Sequence, residues 1–203
     1  MGAVDWSVLH ALNNFMFHHD GVEDPLLFYV NASEALFVAT LAIVFLGARG
    51  RFADWRRACL AAVLSAGFGL AVGKVISELV DRARPFVADP HGVHLFAGHA
   101  ADPGFPSDHA TAAFAIAVAI FLRKRAWGIF ALLAATVLSI GRVALGVHYP
   151  SDVLAGAVLG SAAALVLWAP PLRARIDRLA DWIGAYVDRA LDWGAEGLAS
   201  LRQ

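Results

Sequence analysis

Long apolar runs alternate with short polar segments along most of this 203-residue chain. A membrane-spanning helix needs about 20 largely apolar residues. Five runs reach or approach that length, at residues 25–47, 58–80, 107–122, 126–145 and 150–169. The pattern predicts an all-α, polytopic membrane helical bundle with five to six transmembrane helices, forming a single domain over residues 1–203.

Both ends of the chain predict amphipathic helices. In the N-terminal segment, 1–22, Val4, Val8, Leu12 and Phe15 recur at three-to-four spacing, which is typical of a helix at the membrane interface or packed on the bundle. The C-terminal segment, 171–203, mixes arginines with apolar residues and predicts a helix lying on the membrane surface. Its apolar positions are Ile176, Leu179, Ile183, Val187 and Leu191. Either end is a candidate for a sixth helix of the bundle.

Composition supports the membrane assignment. The chain is 59% hydrophobic and 16% charged, with a mean hydropathy of +0.62, whereas a soluble domain is about half apolar and about a quarter charged. The net charge of −1 gives no field that would attract nucleic acid. A single cysteine, Cys59, excludes an internal disulfide framework.

Charge predicts the orientation of the bundle. If the spans alternate, the basic residues between spans one and two, between spans three and four, and after span five all lie on one side. They are Arg49, Arg51, Arg56, Arg57, Arg123, Lys124, Arg125, Arg173, Arg175 and Arg178. The positive-inside rule makes that side cytoplasmic, together with the C-terminus.

Three polar clusters fall on the opposite, outer side. They are "KVISELVDRARPF" at 74–86, "PSDH" at 106–109, and "GRVALGVHYPSD" at 141–152. Each alone has a structural explanation, such as a helix cap or an arginine that reaches a lipid headgroup. Because the alternating topology brings all three to one membrane face, they predict a functional site.

The residue types in these clusters suit phosphate. Ser107 is a good N-cap, and the helix start behind it presents free N–H groups and partial positive charge to an anion, with His109 in the first turn. Arg84 and Arg142 offer planar forks that match phosphate oxygens.

His148 and Asp152 supply the reactive pair. They are four residues apart and share a face on a helical turn. A carboxylate beside an imidazole fixes its tautomer and stabilises its cation, so the other ring nitrogen can act as a nucleophile or base. Phosphoryl transfer depends mainly on positioning and charge stabilisation. The clusters therefore predict a phosphoryl-transfer site without a metal or cofactor.

The clusters also resemble the signature of the type 2 phosphatidic acid phosphatase superfamily, which reads Lys-x6-Arg-Pro, then Pro-Ser-Gly-His, then Ser-Arg-x5-His-x3-Asp. The third motif is the most specific, since the spacings from Arg142 through His148 to Asp152 match throughout. By this resemblance, His148 forms a phosphohistidine, Asp152 orients it, and His109 protonates the leaving oxygen. The residues implied to hold the phosphate are Arg84, Ser107 and Arg142.

Three positions depart from the signature. Ser77 stands where the family has lysine, and Lys74, one helical turn earlier, is predicted to contact the phosphate in its place. Asp108 replaces the glycine of the second motif and is grouped with the phosphate-binding residues, where its charge favours a protonated His109. Gly141 replaces the serine of the third.

Other polar residues are candidate substrate contacts. Glu34 is ionisable at mid-span, and is expected either to accept a hydrogen bond from an active-site Arg or Lys, to touch a headgroup, or to fix helix packing with Asn31. Arg82 is predicted to reach a second phosphate, or else to pair with Asp81 or Glu78. Ser77 is the remaining candidate.

The sequence also supports predictions for the outer-loop histidines and for the glycines of spans two and five. The outer-loop histidines His91, His94 and His99 are interpreted as solvated, with a metal site in the loop as the alternative. Five glycines in spans two and five are expected to allow close helix contacts; they are Gly67, Gly69, Gly73, Gly156 and Gly160.

Pro-Ser-Asp-His and the missing lysine are most similar to the bacterial undecaprenyl-diphosphate phosphatase branch of that superfamily. The resemblance implies hydrolysis of the terminal phosphate of undecaprenyl or decaprenyl diphosphate on the outer face of the bacterial plasma membrane. Its partners are then the lipid diphosphate and membrane lipids, and no nucleic acid. Alternative substrates are phosphatidic acid, phosphatidylglycerophosphate and a prenyl-phosphoribosyl phosphate. A non-catalytic binder of prenyl phosphates is a further alternative, against which the intact histidines argue.

Overall fold

The computed structural model describes residues 2–96 and 98–200, with side chains as far as residue 193. Residues 1, 97 and 201–203 of the predicted domain, and so the outermost parts of both predicted terminal segments, lie outside the described residues. The described part is all-α, as predicted, and forms eight α-helices. They are α1 (Ala3–Phe17), α2 (Asp20–Gly47), α3 (Asp54–Val80), α4 (Pro85–Ala88), α5 (Asp108–Phe121), α6 (Arg125–Ala144), α7 (Pro150–Leu167) and α8 (Pro170–Ser200).

The five predicted spans correspond to α2, α3, α5, α6 and α7. In the described residues, four segments are long and apolar enough to cross a membrane: Asp20–Gly47, Gly50–Ala88, Arg125–Ala144 and Pro150–Leu167. The fifth, α5, has only 14 residues, or about 21 Å at ~1.5 Å per residue. It lies at the centre of the bundle and packs against α3, α6 and α7. The predicted polytopic bundle is therefore confirmed.

Small residues bring α5 and α7 close together. The buried face of α5 is rich in alanine, and glycines of α7 face it. A Cβ atom added to Gly160 would lie 2.1 Å from the carbonyl oxygen of Thr111, and one added to Gly156 would lie 2.6 Å from that of Ser107. The predicted close contacts are confirmed here and at Gly69 and Gly73 of α3. The prediction is wrong for Gly67, where an added Cβ would have no atom within 4 Å.

We expect Gly160→Ala to lower the midpoint of thermal unfolding in detergent by about 10 °C, because the new methyl group collides with backbone that cannot move without separating the helices. Gly67→Ala is the matched control, since its methyl group points into open space, and its midpoint should stay within about 2 °C of the wild type. Equal midpoints for the two variants would contradict the packing described here.

The N-terminal helix α1 is present, but the face that it buries against protein differs from the apolar face of Val4, Val8, Leu12 and Phe15. Val4 is 74% exposed, and the buried residues of α1 are Leu9, Asn13 and Met16. Asn13 determines the face, because its amide donates to the carbonyl oxygens of His94 and Ala144, each at 2.8 Å, and accepts from the N–H of His94. A buried amide needs such partners, whereas apolar side chains are stable against lipid. This helix therefore packs on the bundle.

The C-terminal helix α8 packs on α3, in addition to the membrane-surface position that the sequence predicts for it. Ile176 and Ala180 are buried, but Leu179 and Leu191 of the predicted apolar face are 42% and 46% exposed. Aspartates of α8 face the basic residues at this end of the bundle. The pairs are Arg56–Asp188, Arg57–Asp181, Arg49–Asp192 and Arg123–Asp177, at 2.6–2.8 Å. These ion pairs hold α8 against the bundle. The orientation prediction counted only the positive charges, so it did not reveal them.

Candidate active site

The three polar clusters converge at the end of the bundle opposite to α8, as predicted. Arg84 precedes α4, Arg142 lies in the last turn of α6, and His148 follows in the α6–α7 connection. All three side chains are buried. The Nε2 atom of His148 lies 3.0 Å from Nη1 of Arg84 and 3.4 Å from Nη2 of Arg142. Two guanidinium groups therefore face one imidazole nitrogen.

The opposite nitrogen of His148 fixes the tautomer. Nδ1 lies 2.9 Å from the carbonyl oxygen of Gly104, which can only accept, so Nδ1 carries the proton. The nearest carboxylate oxygen of Asp152 is farther away, at 3.6 Å. The His148 ring is therefore oriented by the carbonyl of Gly104 together with Asp152, whereas the sequence predicted Asp152 alone. Nε2 is left with its lone pair directed at the arginines.

Electrostatics keep this imidazole neutral. Burial lowers the pKa of His148 well below its ordinary value, and the positive charges of Arg142 and Arg84 lower that pKa further. The neutral form is the nucleophilic one. An anion bound between the two arginines would reduce their effect.

Asp152 is completely buried at the start of α7. It accepts hydrogen bonds from the N–H of Tyr149 at 2.8 Å and from Nη1 of Arg82 at 2.7 Å. Arg82 was predicted to contact a second phosphate, or else to pair with Asp81 or Glu78. In the structure it pairs with Asp152. The chain turns at Asp81, whose φ is 43°, and Arg82 then faces the start of α7.

Ser107 is the N-cap of α5, as predicted: its Oγ accepts from the N–H of Ala110 at 3.5 Å. Its own N–H donates to the carbonyl oxygen of Asp152 at 3.1 Å, which joins the second motif to the third. Asp108, the first residue of α5, is exposed and lies beside Gly73. Since a carboxylate repels phosphate, this position does not support the grouping of Asp108 with the phosphate-binding residues.

His109 pairs with Glu34 across two helices. Its Nε2 lies 3.1 Å from Oε1 of Glu34 on α2, so a histidine stands beside that carboxylate in place of an arginine or lysine. Both side chains line a cleft of about 720 Å³ between α2, α3 and α5. The rest of the lining is almost entirely apolar, so the acid–imidazole pair is the polar end of a lipid-facing cleft.

Two residues of the outer loop belong to the site and were missed. Nε2 of His99 accepts from Nη2 of Arg142 at 3.0 Å, and Oδ1 of Asp102 accepts from Nε of Arg84 at 3.0 Å. The prediction of a solvated His99 is therefore wrong. His94 also stacks on Phe17, with 3.8 Å between ring centroids, while His91 is exposed. The loop has no periodic pattern that would have revealed how it folds over the arginines.

Burial and charge act in opposite directions on the two loop residues. Burial lowers the pKa of His99, and Arg84 and Arg142 lower it further. Burial raises the pKa of Asp102, but the hydrogen bond and charge of Arg84 outweigh it and leave the pKa below its ordinary value. Near neutral pH the loop therefore presents a carboxylate and a neutral imidazole to the arginines, both of which an arriving phosphate would have to displace.

Arg142 retains one open donor. Its Nε is buried, and no hydrogen-bond acceptor is found for it among the residues that the structure describes. Buried donors are rarely left unpaired, and this one lies on a guanidinium that faces His148. Phosphate oxygens match the guanidinium fork.

The structure does not bring Lys74 and Ser77 into contact with the arginines. Nζ of Lys74 is 3.5 Å from Oε1 of Glu78, and its side chain is 73% exposed. The carbonyl of Ser77 accepts from the N–H of Asp81 at the end of α3. Within the described residues, no group of three His, Cys, Asp or Glu side chains is arranged to hold a metal ion.

Known proteins are similar to this chain in sequence. The chain matches the model of the PAP2 superfamily over residues 58–175. It is 33% identical over 156 residues, or 76% of each chain, to undecaprenyl-diphosphatase BcrC of Bacillus subtilis. It is 36% identical over 107 residues to the decaprenylphosphoryl-5-phosphoribose phosphatase of Mycobacterium tuberculosis, covering 52% of this chain and 57% of that protein.

Fold similarity extends to a crystal structure. Aquifex aeolicus LpxE superposes on the chain with a TM-score of 0.64 and 21% identity, over 81% of this chain and 94% of that one. The family match includes Arg84, Arg142 and His148, which face one another, and Ser107, the N-cap of α5. This chain therefore belongs to the PAP2 superfamily and is an integral membrane lipid phosphatase.

Proposed function

We propose that the protein hydrolyses the terminal phosphate of an isoprenoid diphosphate, undecaprenyl or decaprenyl diphosphate, through a phosphohistidine on Nε2 of His148. The observation that carries this proposal is the position of that nitrogen, 3.0 Å and 3.4 Å from two buried guanidinium groups. The similarity to a protein named undecaprenyl-diphosphatase, over 76% of each chain, supports the substrate class.

In the first step, Nε2 of His148 attacks the terminal phosphorus. The bond from phosphorus to the bridging oxygen breaks, and the lipid monophosphate leaves with the electron pair and a proton from His109. Arg84, Arg142 and the N-terminus of α5 hold the non-bridging oxygens, where charge builds up. Asp152 stabilises the positive charge that His148 acquires.

In the second step, water attacks the phosphorus of the phosphohistidine. His109, now unprotonated, removes a proton from the water. The phosphorus–nitrogen bond breaks, inorganic phosphate leaves, and His148 returns to its neutral form with the proton on Nδ1. No step in this sequence calls for a metal ion.

The charge distribution supports a site on the outer face of the bacterial plasma membrane. Arginines concentrate at the end of the bundle that carries α8, and the candidate site lies at the other end. By the positive-inside rule, the arginine-rich end and the C-terminus are cytoplasmic. Because α1 and α8 both pack on the bundle, we propose that residues 1–203 act as one phosphatase domain.

The test is phosphate release by the detergent-purified protein in EDTA. Undecaprenyl diphosphate, phosphatidic acid, phosphatidylglycerophosphate and a prenyl-phosphoribosyl phosphate would be compared at equal surface concentration. We expect the highest kcat/KM for the diphosphate. A preference for another lipid would retain the chemistry and change the substrate. No release from any of the four, with or without added divalent metal, would favour the non-catalytic binder.

Glu34 is expected to support proton donation by His109. In Glu34→Gln, we expect hydrolysis of phosphatidic acid, which has a poor alkoxide leaving group, to slow about tenfold, because such a leaving group depends on the proton. Hydrolysis of p-nitrophenyl phosphate, whose leaving group is stable as an anion, should slow about twofold at most. Glu78→Gln removes an exposed carboxylate at the same end of the bundle and is the control. Equal slowing of both substrates would contradict this role.

A further inference from the structure

The carboxylate of Asp5, on the N-terminal helix α1, lies at the start of α7. Its Oδ1 accepts from the N–H of Ser151 at 3.0 Å, and its Oδ2 accepts from Oγ of Ser151 at 2.7 Å. Because α7 begins at Pro150, this N–H is one of the donors that a helix start leaves without an intrahelical partner. Asp5 therefore caps α7 from a different helix.

Arg82 connects this cap to Asp152. One terminal nitrogen, Nη2, donates to Oδ2 of Asp5 at 3.0 Å, and the other, Nη1, donates to Oδ1 of Asp152 and to Oγ of Ser151, each at 2.7 Å. The guanidinium carbon lies 4.3 Å from the centre of the Tyr149 ring. The two carboxylates and the serine thus determine where the guanidinium lies.

Asp152 depends on this cation. A fully buried carboxylate without a compensating charge is destabilising. Arg82 supplies that charge to Oδ1, which leaves Oδ2 to accept from Tyr149 and to face Nδ1 of His148. Without Arg82, the carboxylate keeps the hydrogen bond from Tyr149 but loses its charged partner and the contact that holds Oδ1.

Asp5 in turn holds Arg82. Burial raises the pKa of Asp5, but hydrogen bonds from Ser151 and Arg82 outweigh burial and leave that pKa below its ordinary value. Asp5 is therefore ionised near neutral pH. Its charge holds Arg82 at the start of α7, 3.0 Å from Oδ2 of Asp5.

We propose that Asp5 and Arg82 are positioning residues, through which helix α1 holds Asp152 beside His148. The proposal rests on the proposed function, since it concerns the same histidine. It also assigns a role to a residue outside the family match, which begins at residue 58.

The test compares Asp5→Asn, Arg82→Met and the double variant in the phosphate-release assay. Asp5→Asn keeps an oxygen that can cap Ser151 but loses the charge. We expect its kcat to fall about tenfold with KM within about twofold, because one charge-assisted hydrogen bond is lost away from the substrate. Arg82→Met should lose about 100-fold in kcat. The double variant should be no slower than Arg82→Met, because Asp5 acts through Arg82.

Asp24→Asn, at an exposed aspartate of α2, is the matched control and should keep wild-type kcat. Thermal unfolding in detergent shows whether each variant is folded. If the wild type is active and Asp5→Asn is fully active, this inference is overturned and the proposed function stands. The same follows if the losses in kcat of Asp5→Asn and Arg82→Met multiply in the double variant. A wild type that releases no phosphate would overturn the proposed function, and this inference with it.

Discussion

Replacing His148 with alanine is expected to lower the rate of phosphate release by at least about 1000-fold. The variant lacks the nitrogen that attacks phosphorus, and the remaining arginines bind phosphate without offering another nucleophile. The measurement is single-turnover phosphate release from undecaprenyl diphosphate. Acid-labile label on the protein would be followed in parallel, since a phosphohistidine should form in the wild type and not in the variant.

His148 is buried, so the loss must be separated from unfolding. His148→Gln fills more of the same space and should be as inactive as the alanine variant. Thermal unfolding in detergent shows whether both are folded. His91→Ala, at an exposed histidine of the outer loop, should keep full activity. A folded His148→Ala that retains a tenth of the wild-type rate would show that another group attacks phosphorus.

Replacing Arg84 with methionine is expected to lower kcat/KM by about 100- to 1000-fold and to move the acidic limb of the pH–rate profile to higher pH. The first effect follows from the loss of a buried guanidinium that faces Nε2 of His148 and, in the proposed mechanism, holds the phosphate. The second follows because Arg84 helps to lower the pKa of His148. Without that positive charge, the pKa rises towards the ordinary value of about 6.5.

The acidic limb of the kcat/KM profile should move in one direction only, to higher pH. In the wild type, we expect His148 to stay neutral until the pH falls through its lowered pKa, so its protonation should not limit kcat/KM near pH ~6.5. In Arg84→Met, the histidine is protonated at a higher pH, and kcat/KM falls earlier on acidification. The measurement is kcat/KM between about pH 4 and pH 8, which reports ionisations of the free enzyme. Arg51→Met, at the opposite end of the bundle, is the control. A smaller rate with an unchanged acidic limb would contradict the assigned effect on His148.

The hydrophobic pattern was sufficient to predict the helices. Each predicted span agrees with a helix to within a few residues at most ends; for example, 126–145 was predicted and α6 is Arg125–Ala144. The physical reason is that backbone groups in hydrocarbon must be paired within the segment, so a long apolar run has little choice but to be helical. The N-cap at Ser107 was likewise predictable, because a cap depends only on neighbouring residues.

The faces of the terminal helices were less predictable. In α1, the apolar spacing is that of Val4, Val8, Leu12 and Phe15, but the buried residues are Leu9, Asn13 and Met16. In a membrane protein, apolar side chains are stable against either lipid or protein, so apolar periodicity alone does not identify the buried face. The polar residue that needs partners identifies it better.

The sequence by itself determined that this is an all-α membrane protein whose motifs meet on one face, because helix length, capping and motif spacing are local properties of the chain. Only the tertiary structure decided the pairs Glu34–His109, Arg82–Asp152 and Arg142–His99. Each pair joins residues from different segments. Their distances depend on how closely the helices and the outer loop pack, which is set by contacts such as that of Gly160 with the backbone of α5.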